Sequence, residues 1–205
     1  MSIPSKWLPK KVKTASLYCL SPTAFMWFRL GNTTPAAALV AAYTGVPVKR
    51  VVGRGTGADD AMLARKAQVI DEALERHQPE PHDPLGTLSE FGGLEVAAMA
   101  GVYLAGAAAG VPAVTDGLIS SAAALAATRL CPDCRPYILA SHESEEPGHH
   151  VALVALGLDP FLHMRMRLGE GSGAALAIGI LGSACAVMNG MATFAEVGID
   201  NVSAE

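Results

Sequence analysis

The chain has 205 residues, a mass of 21.1 kDa and a net charge of -4, enough for one ordinary α/β domain with little left over. Apolar residues make up 51% and charged residues 17%, which excludes disorder over most of the length, and the absence of a basic run beyond Lys6 to Lys13 argues against nucleic-acid binding. The 36 Ala and 21 Gly, against 5% aromatic residues, predict a core of small side chains in which helices approach closely.

In chain order, Thr33-Thr34-Pro35 opens a helix running to about Tyr43, with hydroxyls at the cap and Pro in the first turn. Gly45 closes it. Val48 to Val52 reads as a short strand, followed by Gly53-Arg54-Gly55-Thr56-Gly57. Asp59-Asp60 begins a long helix to about His77, in which Met62, Leu63, Val69, Ile70 and Leu74 keep helical spacing. Gln78 to Thr87 holds three prolines and reads as a loop. Ser89 caps the next helix, which Gly110 ends. Val111 to Thr115 is a buried strand, Ile119 to Arg129 an Ala-rich helix, Tyr137 to Ala140 a strand, and Glu145 to Leu156 a helix with Pro147 in its first turn. Met164 to Leu168 reads as a strand. Gly169-Glu170-Gly171-Ser172-Gly173 leads into an apolar helix to about Met191. The alternation implies an α/β fold, doubly wound, with a mostly parallel sheet and helices on both faces. Ligands in such folds bind at the carboxyl ends of the strands, where both Gly-rich segments, Asp116-Gly117 and Ser141-His142 fall.

The mean hydropathy of +0.32 raises the question of a membrane. The uncharged stretch Val96 to Thr115 is long enough to span one by count, but it is mostly Ala and Gly and holds Pro112, which favours a helix followed by a buried strand. No long apolar segment with a small-residue cleavage site follows Lys10, Lys11 and Lys13, so no signal peptide is expected. Of Cys19, Cys131, Cys134 and Cys185, only Cys131-Pro132-Asp133-Cys134 is a pair. It lacks the second half of a zinc site and the strand-to-helix setting of a redox motif, so incidental thiols in a reducing cytosol are favoured.

Three segments have the composition of a reactive site. Gly53 to Gly57 lies between the expected strand and a helix. Its glycines let backbone approach a phosphate at a helix N-terminus, or serve only a tight turn with positive φ. Lys66 in the following helix is a cation for that phosphate or a solvated surface lysine. Glu170 stands alone between two glycines before an apolar helix. Burial would raise its pKa and helix N–H groups would lower it. It is a general base at a pocket or a helix-start carboxylate on the dipole. Ser141 to His150 gathers three imidazoles and three carboxylates. Their spacing matches no established metal motif, so a polar ligand loop or a capped helix start is favoured. His77, His82 and His163 read as surface or loop residues.

Taken in order, these segments resemble the nicotinate-nucleotide–dimethylbenzimidazole phosphoribosyltransferases of the cobalamin pathway. The likeness rests on Gly31-Asn32-Thr33-Thr34-Pro35-Ala36-Ala37-Ala38, Gly53-Arg54-Gly55-Thr56-Gly57, Phe91-Gly92-Gly93-Leu94-Glu95, Asp116-Gly117, Ser141-His142 with Ser144, Glu146 and Gly148-His149, and Arg167-Leu168-Gly169-Glu170-Gly171-Ser172-Gly173-Ala174. Met191 to Glu196 looks like the family's ending, so the likeness runs from about Leu30 to Gly198. The resemblance implies transfer of a phosphoribosyl group from nicotinate mononucleotide to a 5,6-dimethylbenzimidazole nitrogen, with inversion at the anomeric carbon. It implies Glu170 as the general base. It implies substrate binding by Asn32, Thr33, Gly55, Lys66, Asp116, Ser144, Gly169 and Gly171. No cofactor and no metal are expected, since nicotinate leaves from an already cationic pyridinium. The implied partners are the two small-molecule substrates and a second copy of the chain. A cytoplasmic protein that binds neither nucleic acid nor membrane is expected.

The resemblance also carries departures. Family chains have a substantial N-terminal region that supplies much of the base pocket. Where the family has Glu-Met-Gly-Ile, this chain has Trp27, Phe28, Arg29 and Leu30, so a functional glutamate and a ligand-contacting glycine are lost. Residues 1–29 are therefore expected to form a divergent segment and residues 30–205 a phosphoribosyltransferase-like domain. The break points to a truncated or frame-shifted gene or a misplaced start. The competing expectation is a non-catalytic remnant that at most binds the nucleotide, and a third is a chain that misfolds because its apolar faces lack cover.

Overall fold

The computed structural model describes residues 31–55, 57–194 and 196–198. Lys6 to Lys13, Cys19, Trp27 to Leu30, Thr56 and Ala195 lie outside the described residues. Helix α1 (Thr33–Thr44) buries Ala36 to Ala41 and closes on Gly45, whose φ of +69° lets its N–H return to Ala41 O. Helix α2 (Asp60–His77) is capped by Asp59, whose carboxylate accepts from Met62 N–H at 2.8 Å. Helices α3 (Pro84–Phe91) and α4 (Leu94–Ala108) follow. Strand β1 (Ala113–Thr115), helix α5 (Leu118–Leu130) and strand β2 (Ile138–Ala140) form a parallel unit with Ala113 opposite Ile138 and Thr115 opposite Ala140. Strand β3 (His142–Ser144), helix α6 (Pro147–Leu156) and strand β4 (Leu162–Met166) form a second, with His142 opposite Leu162 and Ser144 opposite Met166. Helix α7 (Ser172–Gly190) completes the order.

The α/β class and the parallel pairing agree with the sequence. Among the described residues the strands form two two-stranded sheets and the body is mostly helical. The reason is the small core. Helix α5 packs against α1, α4 and α6, and Ala122, Ala123, Ala124, Ala126 and Ala127 are completely buried. With methyl groups at every contact, helix axes come close enough to cover the short strands. Gly148 shows the same close approach, since a Cβ there would lie 2.5 Å from Val51 O.

Three local expectations are corrected. Val48 to Val52 is not a strand. Val48–Arg50 is a 3-10 turn, and the N–H groups of Val51 and Val52 both bond Val48 O at 2.9 Å. This turn buries the valines' side chains as a strand would have done. The proline-rich loop contains the start of α3. Asp83 accepts from Gly86 N–H at 2.8 Å and Pro84 takes the first helical position, where proline costs no hydrogen bond. Ser89 therefore lies inside α3, and Gly92-Gly93 supplies the break before α4. Residues 96–115 are a helix followed by a strand, as expected, and among the described residues the one helix long and apolar enough to cross a membrane by composition is α7.

Candidate active site

Two groups of candidate residues flank β3. The first gathers around the Gly53–Gly57 turn. Lys66 projects from α2, and its Nζ donates to Thr33 Oγ1 at 2.9 Å and to Gly53 O at 3.4 Å. Thr33 is the first residue of α1. Asn32, before it, takes the N-cap place but makes no side-chain cap bond. Gly55 N–H donates to Glu146 Oε1 at 2.9 Å. The other carboxylate oxygen of Glu146 is buried without a partner among the described residues and lies against Gly53, where any Cβ would overlap it. Half-burial lowers the Lys66 pKa, and the Glu146 charge partly restores it. A phosphate entering this turn meets an ammonium and backbone N–H groups, one of which Glu146 already occupies.

The second group surrounds the start of α7. Asp116, just past the end of β1, is 9% exposed. Its Oδ2 accepts from Gly171 N–H at 3.1 Å, and its Oδ1 from Gly173 N–H at 2.9 Å and Ala174 N–H at 3.1 Å. A carboxylate from a distant strand thus caps this helix. Glu170 is exposed and has a φ of +58°, between Gly169 at +71° and Gly171 at +74°. Ser172 Oγ donates to Gly169 O at 2.7 Å and tightens the turn. His142 packs so closely on Gly173 that a Cβ there would overlap its ring.

Two buried histidines join the groups. His142 and His149 meet edge to face with ring centroids 5.6 Å apart. Ser144 N–H donates to His149 Nδ1 at 3.1 Å, and Ser144 Oγ lies 2.8 Å from the same nitrogen. Nδ1 is therefore the acceptor, and the proton is assigned to Nε2, which is buried without a partner among the described residues. Burial, helped by the neighbouring His142, pushes the His149 pKa down to about 4. Burial likewise lowers His142, with the Asp116 charge opposing it. Both rings are neutral at pH 7. Glu146 N–H reaches Ser144 Oγ at 3.4 Å, so Ser144 connects the histidine pair to the Gly55 turn.

The structure therefore brings Asn32, Thr33, Gly55 and Lys66 together at one end of β3, with Ser144 beside them. It brings Asp116, Gly169, Glu170 and Gly171 together at the other. Sequence reasoning gave no separate role to Glu146, His142 or His149, although all three stand in the quoted motifs. The legible signal was an imidazole two residues after Pro147, at a helix start that must be buried against Val51.

The surface pair His150 and His163 share Glu143, at 2.7 and 3.4 Å, and hydrogen bonding to His150 lowers the Glu143 pKa. Among the described residues no three His, Cys, Asp or Glu side chains converge for a metal ion. Burial raises the Cys134 thiol, the opposite of a reactive thiolate. A cavity of about 570 Å³ runs along α2, lined by Lys49, Asp60, Asp71 and Glu75 among others. It includes none of the candidate residues.

Residues 29–199 match a family model described as phosphoribosyltransferase. The nicotinate-nucleotide–dimethylbenzimidazole phosphoribosyltransferase of Desulforamulus reducens is 55% identical over 170 residues, covering 83% of this chain and 48% of its own length. That of Desulforudis audaxviator is 52% identical over 170 residues. The crystal structure of CobT from Thermus thermophilus is similar with a TM-score of 0.78 at 48% identity, over 83% of this chain and 51% of that one. The chain spans about half the length of the curated relatives it matches. With a family model matched across α1 to α7 and both groups of candidate residues inside that span, the chain belongs to this phosphoribosyltransferase family.

Proposed function

We propose that the protein transfers the phosphoribosyl group of nicotinate mononucleotide to 5,6-dimethylbenzimidazole, giving nicotinate and α-ribazole 5'-phosphate for the lower ligand of cobalamin. The observation that carries this reading is the presence in one domain of a half-buried lysine at a glycine turn and an exposed glutamate held in a left-handed turn. The names of the relatives agree with it.

In this mechanism Lys66, the Gly55 turn, Asn32, Thr33 and Ser144 hold the 5'-phosphate and ribose. Lys66 contributes a point charge and the turn contributes N–H groups. Gly169 and Gly171 leave Glu170 uncrowded beside the base. The benzimidazole lone-pair nitrogen attacks the anomeric carbon from the face opposite nicotinate. The carbon–nitrogen bond to the pyridinium breaks, and its electron pair neutralises the departing nicotinate ring. As charge builds on the benzimidazole, its N–H proton passes to the Glu170 carboxylate. Proton transfer of this kind contributes about 100- to 10,000-fold in rate.

The protein is further proposed to be cytoplasmic and to act as a homodimer. What supports the dimer is α7. Ser172–Gly190 has no charged residue, and Leu176, Ile180, Val187 and Met188 are large and exposed. Its first turns are packed on the domain at Gly173, Ala174 and Ala177, which favours a protein partner over lipid for the rest.

The deciding experiment incubates the purified chain with nicotinate mononucleotide and 5,6-dimethylbenzimidazole and follows nicotinate release and ribotide formation. Product above an enzyme-free control, lost in Glu170→Gln while nucleotide binding persists, is the expected result. Nucleotide binding without product would replace this reading with that of a binding remnant.

A further inference from the structure

Glu170 holds a backbone conformation that a residue with a Cβ resists. Its φ of +58° is the middle of three consecutive left-handed residues, and a run of this kind does not persist unless something outside it fixes it. Gly169 O receives two donors from Ser172, the backbone N–H at 3.0 Å and the hydroxyl at 2.7 Å. Those bonds close the turn but do not attach it to the domain.

The attachment is Asp116. Its carboxylate takes Gly171 N–H on one oxygen and Gly173 and Ala174 N–H on the other. The residue after Glu170 is thus tied directly to the end of β1, 55 positions away in sequence. Asp116 is itself fixed. Its own N–H donates to Ser120 Oγ at 2.8 Å, and that hydroxyl donates to Gly117 O at 2.9 Å. The preceding residue, Thr115, is completely buried in register with β2. On the other side, the His142 ring abuts Gly173, so the start of α7 cannot slide towards β3.

The geometry points to Asp116 as the positioning residue of Glu170: a buried carboxylate that pins the backbone following Glu170 and so holds the proton acceptor in its left-handed turn. This rests on Glu170 being the acceptor of the proposed transfer. It also separates Asp116 from the residues that touch substrate, because its oxygens are committed to three backbone N–H groups. A carboxylate is required by donor arithmetic. Asparagine offers one oxygen, and its NH2 group would confront an N–H donor, so at least one of the three bonds fails. Alanine leaves all three donors buried and unpaired.

Two measurements on the full chain test this. The first needs no turnover. In Asp116→Asn, amide exchange at 171, 173 and 174 should quicken, and the Glu170 Cα and Cβ chemical shifts should leave their left-handed values. Unchanged exchange and shifts in a folded variant would overturn the proposal. If Asp116→Asn does not fold, Ser120→Ala, which frees the Asp116 backbone, should show the same changes at smaller amplitude, and no change there overturns it equally. The second is kinetic. Asp116→Asn should lower kcat by roughly 100-fold, the scale of a small misplacement of a catalytic group, with nucleotide affinity little changed. The double variant with Glu170→Gln should be no slower than Glu170→Gln alone, because both changes remove one function. Losses that multiply would show that Asp116 acts independently of Glu170 and would overturn the proposal. A wild-type chain that yields no product refutes the transfer reading instead, and the first measurement then decides the role of Asp116 by itself.

Discussion

Among the described residues Glu170 is one of three non-glycine residues held at positive φ, with Gln78 and Arg165. A left-handed non-glycine residue costs roughly 1–2 kcal/mol, and the structure tolerates that strain at an exposed carboxylate beside the Asp116 cap. Glu170→Gly should therefore raise stability by about 1 kcal/mol after the added chain entropy of glycine, read by urea unfolding, while removing turnover. No gain would mean that the turn is not strained. Lys66→Ala removes the ammonium from Thr33 and from the glycine turn. Affinity for nicotinate mononucleotide should fall about tenfold or more, some 1.4 kcal/mol, with affinity for the phosphate-free riboside unchanged. Equal losses for both ligands would take Lys66 out of the phosphate site. His149 gives a pH signature. Its pKa lies below the unfolded value, so the unfolded chain binds the extra proton between the two. Stability is then fully present above about pH 6.5 and declines as pH falls towards 4. The decline is on the order of 3 kcal/mol, and the lowered His142 adds to it in the same direction. Unfolding at stepped pH should show this slope, and His149→Gln, which keeps an acceptor for Ser144, should flatten it.

The decisive element is α5. Its alanines are buried on every side between α1, α4 and α6, so no direction is open for a larger side chain. Ala123→Leu should destabilise by about 1–3 kcal/mol through overpacking, seen as a lowered midpoint of thermal unfolding. A neutral result would mean that the helices are not in the close contact described. Helix α7 is the contrasting case. Its first turns are anchored by Asp116 and His142, while the remainder carries large apolar side chains in contact with solvent. Secondary structure and anchoring come from one end of the helix, and cover for the rest must come from elsewhere.

For the whole molecule, that uncovered face argues for association. Sedimentation should show a dimer, and replacing both Val187 and Met188 by Asp should shift it to a monomer with the unfolding midpoint otherwise retained. A wild-type chain that sediments as a monomer would remove the dimer from the proposal. The chain's span of about half its relatives makes this measurement as informative as the activity assay, because each asks whether the fold is complete enough to work.

Much of this molecule was readable from the residues. The helix start at Asp60, capped locally by Asp59, the glycine stops, and the parallel strand–helix–strand units follow from local capping chemistry and apolar spacing, which act over a few residues. The ordered motifs from Gly31 to Ala174 carried the family for the same reason, since each is a local string. Where the sequence misled, the competing physics was also local but of another kind. Pro84 was a helix start and not only a breaker, and the valines at 48 to 52 satisfied their burial in a 3-10 turn. The long-range pairings needed the tertiary structure. Asp116 on Gly171 spans 55 positions, Glu146 on Gly55 spans 91, and Lys66 on Thr33 spans 33. Nothing in composition or periodicity encodes such contacts, because a carboxylate's partner depends on which backbone N–H groups packing leaves unpaired beside it. The sequence by itself determined the class of fold, the family and the residues able to do chemistry. Only the tertiary structure decided which of those residues meet, as where the Asp116 carboxylate takes the N–H groups of Gly171, Gly173 and Ala174.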